Sequence, residues 1–220
     1  MQREIKITND GSTTIHLPEL NESYHSKHGA IQEAYHVFIK NGLSLLKEKS
    51  VSVLEIGFGT GLNAFITYLE AEKNHKNIDY VGVEAYPVLS DEVLQMNYVS
   101  ELNAESKTEI FKKMHQVSWD EKHHISTDFY LTKRKQLFQD IDDEATFDII
   151  YFDAFGFTVQ PELWSEEIFQ KMYNALKPNG ILTTYACRSS IKRAMISSGF
   201  SVQKLPGAPG KREMLWGQKL

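Results

Sequence analysis

Val51-Ser-Val-Leu-Glu-Ile-Gly-Phe-Gly-Thr-Gly-Leu-Asn63 decides the fold. An apolar, β-branched run ends in three alternating glycines and passes straight into a helical pattern over about residues 62–73. Val51, Val53 and Ile56 read as strand residues that deliver the backbone to Gly57, Gly59 and Gly61, where the lack of a Cβ permits tight turns and close approach of a ligand. The N-terminal N–H groups of the helix that follows point at the same place. A ligand-binding loop between a strand and a helix is therefore expected.

The dinucleotide-binding fingerprint is G-x-G-x-x-G, whereas this stretch reads Glu55-x-Gly57-x-Gly59-x-Gly61, with the third glycine one residue early. That spacing resembles motif I of class I methyltransferases, which bind S-adenosylmethionine. Ile78-Asp-Tyr-Val-Gly-Val-Glu84 reads as the next strand and ends in a carboxylate 27 positions after Gly57 (84 − 57). A carboxylate there can accept both ribose hydroxyl protons of an adenosine. A glycine turn without a ligand is the plainer alternative, but a turn alone needs neither the alternating glycines nor the acid at the strand end.

With 220 residues, 41% of them hydrophobic, the chain suits one domain with a small extension. Residues 1–28 are expected to form an N-terminal β-hairpin and loop, and residues 29–220 the main domain. No apolar run approaches the length of a membrane span and Met1-Gln-Arg-Glu-Ile-Lys6 lacks the apolar segment of a signal peptide, so a cytoplasmic protein is expected. A net charge of −5 argues against nonspecific coating of nucleic acid. The single Cys187 cannot form an internal disulfide and reads as a small core residue. The eight histidines come with neither paired cysteines nor a His-Glu-x-x-His pattern, so they are expected to be solvated or capping, and no metal site is expected.

Along the chain, Ile5, Ile7, Ile15 and Leu17 alternate with polar residues around Asp10-Gly11, a hairpin pattern expected to cover an edge of the domain. Ile31, Ala34, Tyr35, Phe38 and Ile39 follow at helical spacing. A helix is expected to start near Pro87, and residues 91–125 read as helical with a charged face. Strands are expected at 129–135, 147–153, 181–186, 201–205 and 212–217. Helices are expected at 165–176, capped by Ser165 and stopped by Lys177-Pro-Asn-Gly180, and at 189–198. Alternating strands and helices imply an α/β fold, a mostly parallel sheet finished by a C-terminal antiparallel hairpin. Right-handed crossovers then bring Gly57–Gly61, Glu84 and Asp153 to one carboxyl edge, where ligands bind.

Further stretches resemble one family. They are Gly29-Ala-Ile-Gln-Glu-Ala-Tyr-His-Val-Phe-Ile-Lys-Asn-Gly42, Phe152-Asp-Ala-Phe155 with Pro161-Glu-Leu-Trp164, and Lys211-Arg-Glu-Met214 after a glycine-rich turn. Together with Gly57–Asn63 they resemble the methyltransferase domain of the MnmC type, from about residue 20 onward. The resemblance implies a Rossmann-like class I fold and S-adenosylmethionine-dependent methylation of 5-aminomethyl-(2-thio)uridine at the wobble position of tRNA, in the anticodon loop, giving the 5-methylaminomethyl product. Two-domain members add a flavin-dependent oxidoreductase half, which this sequence does not encode; it resembles the stand-alone form, which depends on other enzymes to make the aminomethyl intermediate. Two departures are visible: Gly156-Phe157 replaces a Ser-Pro or Ala-Pro pair, and Gln136-Leu137 stands where an adenine-side acid is usual.

The cofactor-binding candidates are Gly57, Gly59, Gly61, Asn63, Glu84 and Asp153, together with Glu55, which sits inside the glycine motif and is expected to hold the loop or to bind the cofactor's amino group, directly or through water. Methyl transfer to an amine requires alignment, exclusion of water and an unprotonated nitrogen. Asp153 is the candidate for orienting that amine or taking its proton, with a loop-anchoring aspartate as the alternative. Phe155 can wall the site or stack on a splayed base. Tyr24, in a polar lead-in with Ser26 and Gly29, belongs to a loop able to fold over the cofactor. Phe157 and Trp164 are weaker substrate candidates, since core packing also explains a Trp, and Lys211 and Arg212 are candidates for phosphate contact. A methyltransferase on another small-molecule or protein amine, a nicotinamide-dependent oxidoreductase and a noncatalytic RNA-binding module are the competing readings.

Overall fold

The computed structural model describes residues 2–220. Its first element is a small antiparallel sheet of β1 (Glu4–Ile7), β2 (Thr13–Leu17) and β3 (Glu22–Ser23). Asp10 turns the hairpin by accepting from the Ser12 backbone N–H at 3.1 Å. Helix α1 (Ala30–Ala34) runs on into a π-helical turn over Tyr35–Lys40. Then come β4 (Ser50–Ile56), α2 (Leu62–Asn74), β5 (Asn77–Val83), α3 (Ser90–Val93), α4 (Tyr98–Glu101) and α5 (Thr108–Gln116). The chain continues through β6 (Lys122–Ser126), β7 (Phe129–Arg134), β8 (Phe147–Phe152), α6 (Glu166–Ala175), β9 (Leu176–Thr184), α7 (Ser189–Ser197), β10 (Ser201–Pro206) and β11 (Glu213–Gln218).

The main sheet has the order β10-β11-β9-β8-β4-β5-β7-β6, with β9, β8, β4, β5 and β7 parallel and β6, β11 and β10 antiparallel to their neighbours. From β4 the chain builds outward through β5 and β7, then returns to lay β8 on the other side of β4. The connections therefore diverge between β4 and β8, and a crevice opens at their carboxyl ends. Period-two alternation sends Val51 and Val53 into one apolar layer, with Phe65 and Ile66 of α2, and Leu54 and Ile56 into the other, with Phe169 and Met172 of α6. Helices thus cover both faces, as a buried parallel sheet requires.

Several local expectations meet a different outcome. Residues 91–125 are broken into α3, α4 and α5 and end in an edge strand, β6, where only Ile125 is buried; a strand this polar leaves no apolar alternation to read. The helix after Ser165 ends at Ala175, and Lys177-Pro-Asn-Gly180 lies within β9 as an irregularity, the pairing jumping from Phe147↔Leu176 to Ile149↔Ile181. The N-terminal hairpin forms a sheet of its own beside the main one. It packs on the segment after β5, where Asn97 accepts from the Thr13 N–H at 2.8 Å and Arg3 pairs with Glu92 at 2.8 Å. Cys187 is half-buried, outside the core expected for it. Among the described residues no helix is long and apolar enough to cross a membrane, and no cluster of metal-ligating side chains forms.

Candidate active site

β4 ends at Ile56, and Gly57 and Phe58 both donate their backbone N–H to Val83 O at 3.0 Å, which pins the loop to the end of β5. The Asp153 N–H reaches back to Ile56 O at 2.9 Å. Gly57 takes φ +91°, and a Cβ there would stand 2.6 Å from the Asp153 carbonyl oxygen, so only glycine allows the β4 and β8 exits to touch. Gly59, at φ +48°, donates its N–H to Glu84 Oε2 at 3.0 Å and lies against the Tyr24 ring. The other Glu84 oxygen accepts from the Tyr86 N–H at 2.8 Å, so this carboxylate latches the glycine loop to the end of β5. Gly61 leads directly into α2.

Asn63, in the first turn of α2, donates from Nδ2 to Glu55 Oε1 and to Asp153 Oδ2, both at 2.9 Å. Its own Oδ1 is buried without a partner although Asn63 lines the crevice, a polar atom left for a ligand to satisfy. Glu55 is 0% exposed and accepts the Tyr80 hydroxyl at 2.8 Å. Burial pushes its carboxyl well above the usual range, with the Asn63 and Tyr80 hydrogen bonds opposing. Of the roles expected for Glu55, direct contact with the crevice is the one its position does not allow: it shares a sheet face with Val51 and Val53 and reaches the crevice only through Asn63. Asp153 is raised to about 7, chiefly by burial and then by the Glu33 charge, while the Asn63 hydrogen bond and Lys211 pull it down.

Gly57, Gly59, Asn63, Glu84 and Asp153 line a narrow crevice. A larger cavity of about 540 Å³ adjoins it, sharing Tyr24, His25, Asp153 and Phe155 and adding Glu22, Glu33, Tyr185 and Lys211. Tyr24 and Phe155 meet edge to face at 5.0 Å between the two spaces. The loop carrying Phe155 is tied down by the Tyr185 hydroxyl to Ala154 O at 2.8 Å and by Trp164 Nε1 to Phe155 O at 2.8 Å. Trp164 itself is 2% exposed, so the expectation of substrate contact is corrected: it packs on Phe152 and holds the Phe155 carbonyl. Phe157 lies in a neighbouring groove of about 310 Å³, with Arg188 4.8 Å over its ring and exposed Arg212 beside it; Lys211 borders both spaces.

Several lining residues escaped the sequence reading. Phe138, directly after Gln136-Leu137, borders the crevice, and Glu33 and Tyr185 arrive from α1 and the end of β9. His25 and His115 correct the expectation of solvated histidines. Burial lowers each to about 4, Lys133 adding to the effect at His115, whose Nε2 is buried without a partner beneath Gly61.

The chain is 26% identical over 218 residues to the tRNA 5-methylaminomethyl-2-thiouridine biosynthesis bifunctional protein MnmC of a Marinomonas species, covering 92% of this chain and 32% of that protein. The protein of the same name from Burkholderia thailandensis is 27% identical over 219 residues, covering 93% and 33%. The chain thus spans about a third of the length of the curated relatives it matches. Among solved structures, MNMC2 from Aquifex aeolicus superposes with a TM-score of 0.75 at 20% identity, covering 98% of this chain and 70% of that one. Spermidine synthase from Thermotoga maritima gives 0.57 at 13%, covering 100% and 72%. At these identities the likeness is one of fold. Residues 96–220 match the model of a family described as S-adenosyl-L-methionine-dependent methyltransferases, and this chain belongs to that family.

Proposed function

We propose that this methyltransferase converts the 5-aminomethyl group of a (2-thio)uridine at the tRNA wobble position to 5-methylaminomethyl. The printed names of relatives matched across nearly the whole chain support the substrate. The observation that carries the reading is the cavity that shares a buried carboxyl, Asp153, and an aromatic wall, Phe155, with the glycine-loop crevice. Such a cavity suits an ammonium that must lose its proton beside a methyl donor.

The crevice fits S-adenosylmethionine: Gly57 and Gly59 would let the backbone approach it, Glu84 would accept its ribose hydroxyls and the unpartnered Asn63 Oδ1 would take one of its donors. Bound there, the cofactor supplies a methyl group on a positively charged sulfur, ready for displacement. Asp153 would hold the incoming amine and accept its proton, a task suited to a carboxyl that titrates near neutrality. Phe155 and Tyr24 would exclude water and offer a face to the base. Phe157 and Arg212 would hold neighbouring nucleotide and phosphate, while the Lys211 ammonium, expected on the phosphate, is instead paired with Glu33. Residues 1–28 serve in this reading as an extension that brings Tyr24 to the site, and an upstream enzyme must make the aminomethyl group.

The test is transfer of labelled methyl from S-adenosylmethionine to tRNA bearing aminomethyluridine, with Asp153→Ala as comparison. Label in the wobble nucleoside, lost in the variant, supports the reading. Cofactor binding with no labelled tRNA would overturn the substrate.

A further inference from the structure

Within the larger cavity one acid and one base are already paired. Glu33, on the buried side of α1, forms an ion pair with Lys211, contributed 178 residues later by the turn before β11. Each partner is held from its own side. The second Glu33 oxygen accepts the Ser26 N–H at 3.2 Å, and the Lys211 ammonium stands 3.9 Å from the centre of the Tyr185 ring. Both line the same cavity as Asp153, and the Tyr185 hydroxyl fixes the backbone next to Asp153 through Ala154 O.

We propose that Glu33 and Lys211 are positioning residues that act on Asp153 in opposite senses, the carboxylate favouring its protonated form and the ammonium its charged form. The proposal rests on the reading of Asp153 as the group that takes a proton from an ammonium substrate. In that step the proton moves from nitrogen to the Asp153 carboxylate and leaves nitrogen its lone pair. A carboxyl too acidic accepts the proton poorly; one too basic is already occupied. Glu33 and Lys211, paired with each other on the wall that Asp153 also lines, set the balance from opposite sides.

The other groups facing Asp153 do not offer the same control. Glu55 reaches it through Asn63, Glu84 is engaged with two backbone N–H groups, and His25 is held neutral by burial. Glu22, Tyr24 and Tyr185, with His16 and Lys27 further round the wall, complete the ionisable lining of the two spaces, and none of them forms an ion pair with another described residue. Among the described residues, the Glu33–Lys211 pair is the one ion pair whose two members both border this cavity.

The experiment follows the Asp153 carboxyl directly by carbon-13 NMR of aspartate-labelled enzyme across a pH series, assigned with Asp153→Asn, and pairs it with the pH profile of methyl transfer. Glu33→Gln keeps an acceptor for Ser26 and should lower the Asp153 midpoint by about one pH unit; Lys211→Met should raise it by about as much. Lys211→Arg should restore the wild-type midpoint, and the double variant should fall between the singles. The acidic limb of kcat/KM should move the same way in each case. Midpoints that stay fixed, or that move in one direction for both single variants, would overturn the proposal. Opposed shifts in an enzyme that labels no tRNA would uphold it and overturn the proposed substrate instead.

Discussion

The side-chain nitrogen of Asn63 donates to Asp153 Oδ2 and to Glu55 Oε1 at 2.9 Å each, so a single amide joins the crevice to a carboxyl with no exposed surface. Asn63→Asp would place a third carboxyl between those two. Like charges disfavour ionisation, so folded-state proton affinities rise and stability falls as pH rises. Denaturant titration should show a loss of about 3 kcal/mol at about pH 8 that shrinks toward about pH 5.

Asp153 gives the wild-type protein a pH signature of its own. Its carboxyl moves from 3.8 to about 7 on folding. Below the first value both states hold the proton; between the two only the folded state does, so stability declines as pH rises through that window and levels off above it. Asp153→Asn cannot ionise and escapes the decline. Relative to wild type it should gain stability from about pH 4 to about pH 7, by at most about 4 kcal/mol, while methyl transfer drops on the order of a hundredfold. Parallel denaturation and turnover series check both.

At Gly57 an added methyl meets the Asp153 backbone oxygen at 2.6 Å in a left-handed conformation. Gly57→Ala should cost about 2–4 kcal/mol in thermal unfolding and weaken S-adenosylmethionine binding at least about tenfold in calorimetry. Gly59→Ala meets the Tyr24 ring at 3.2 Å and backbone no nearer than 3.9 Å, and should cost less stability.

Trp164 separates packing from substrate contact. Trp164→Ala should destabilise by about 3–5 kcal/mol through the cavity it leaves. Trp164→Phe keeps most of the packing and loses the bond to Phe155 O, about 1 kcal/mol. An increase in KM for tRNA with unchanged stability in the Phe variant would instead indicate direct contact.

Phe157 and Arg212 border a groove outside the crevice. Phe157→Ala and Arg212→Ala should raise KM for tRNA several-fold and leave S-adenosylmethionine affinity unchanged. The Arg variant should also reduce the salt dependence of tRNA binding by about one phosphate contact.

What the sequence made legible was local. The β4 run, the glycines after it and the acid after β5 are contiguous signals, and they fall where the connections diverge. The depth of Glu55 was also readable, since it alternates with Val51 and Val53 and so faces the same covered layer. Glu33, Phe138 and Tyr185 carry no such mark, because only the tertiary fold brings α1, the chain after β7 and the end of β9 to one cavity wall. Trp164 misled because a family motif and a core position coincide in one residue. β6 was missed because an exposed edge needs little apolar alternation, and His25 because its burial depends on Thr14 and Thr60 closing over it from distant segments.

β11 is the last strand in chain order, yet it lies between β9 and β10. During vectorial synthesis β9 therefore emerges with one side unpaired, and β10 has no neighbour in the main sheet until residues 213–218 arrive. A nascent chain stalled before that point presents an open, apolar-flanked edge, the kind of surface that invites pairing with another copy. Lys211 immediately precedes the strand that closes the sheet, so completion of the barrier to aggregation and assembly of the cavity wall are the same event in the life of the chain.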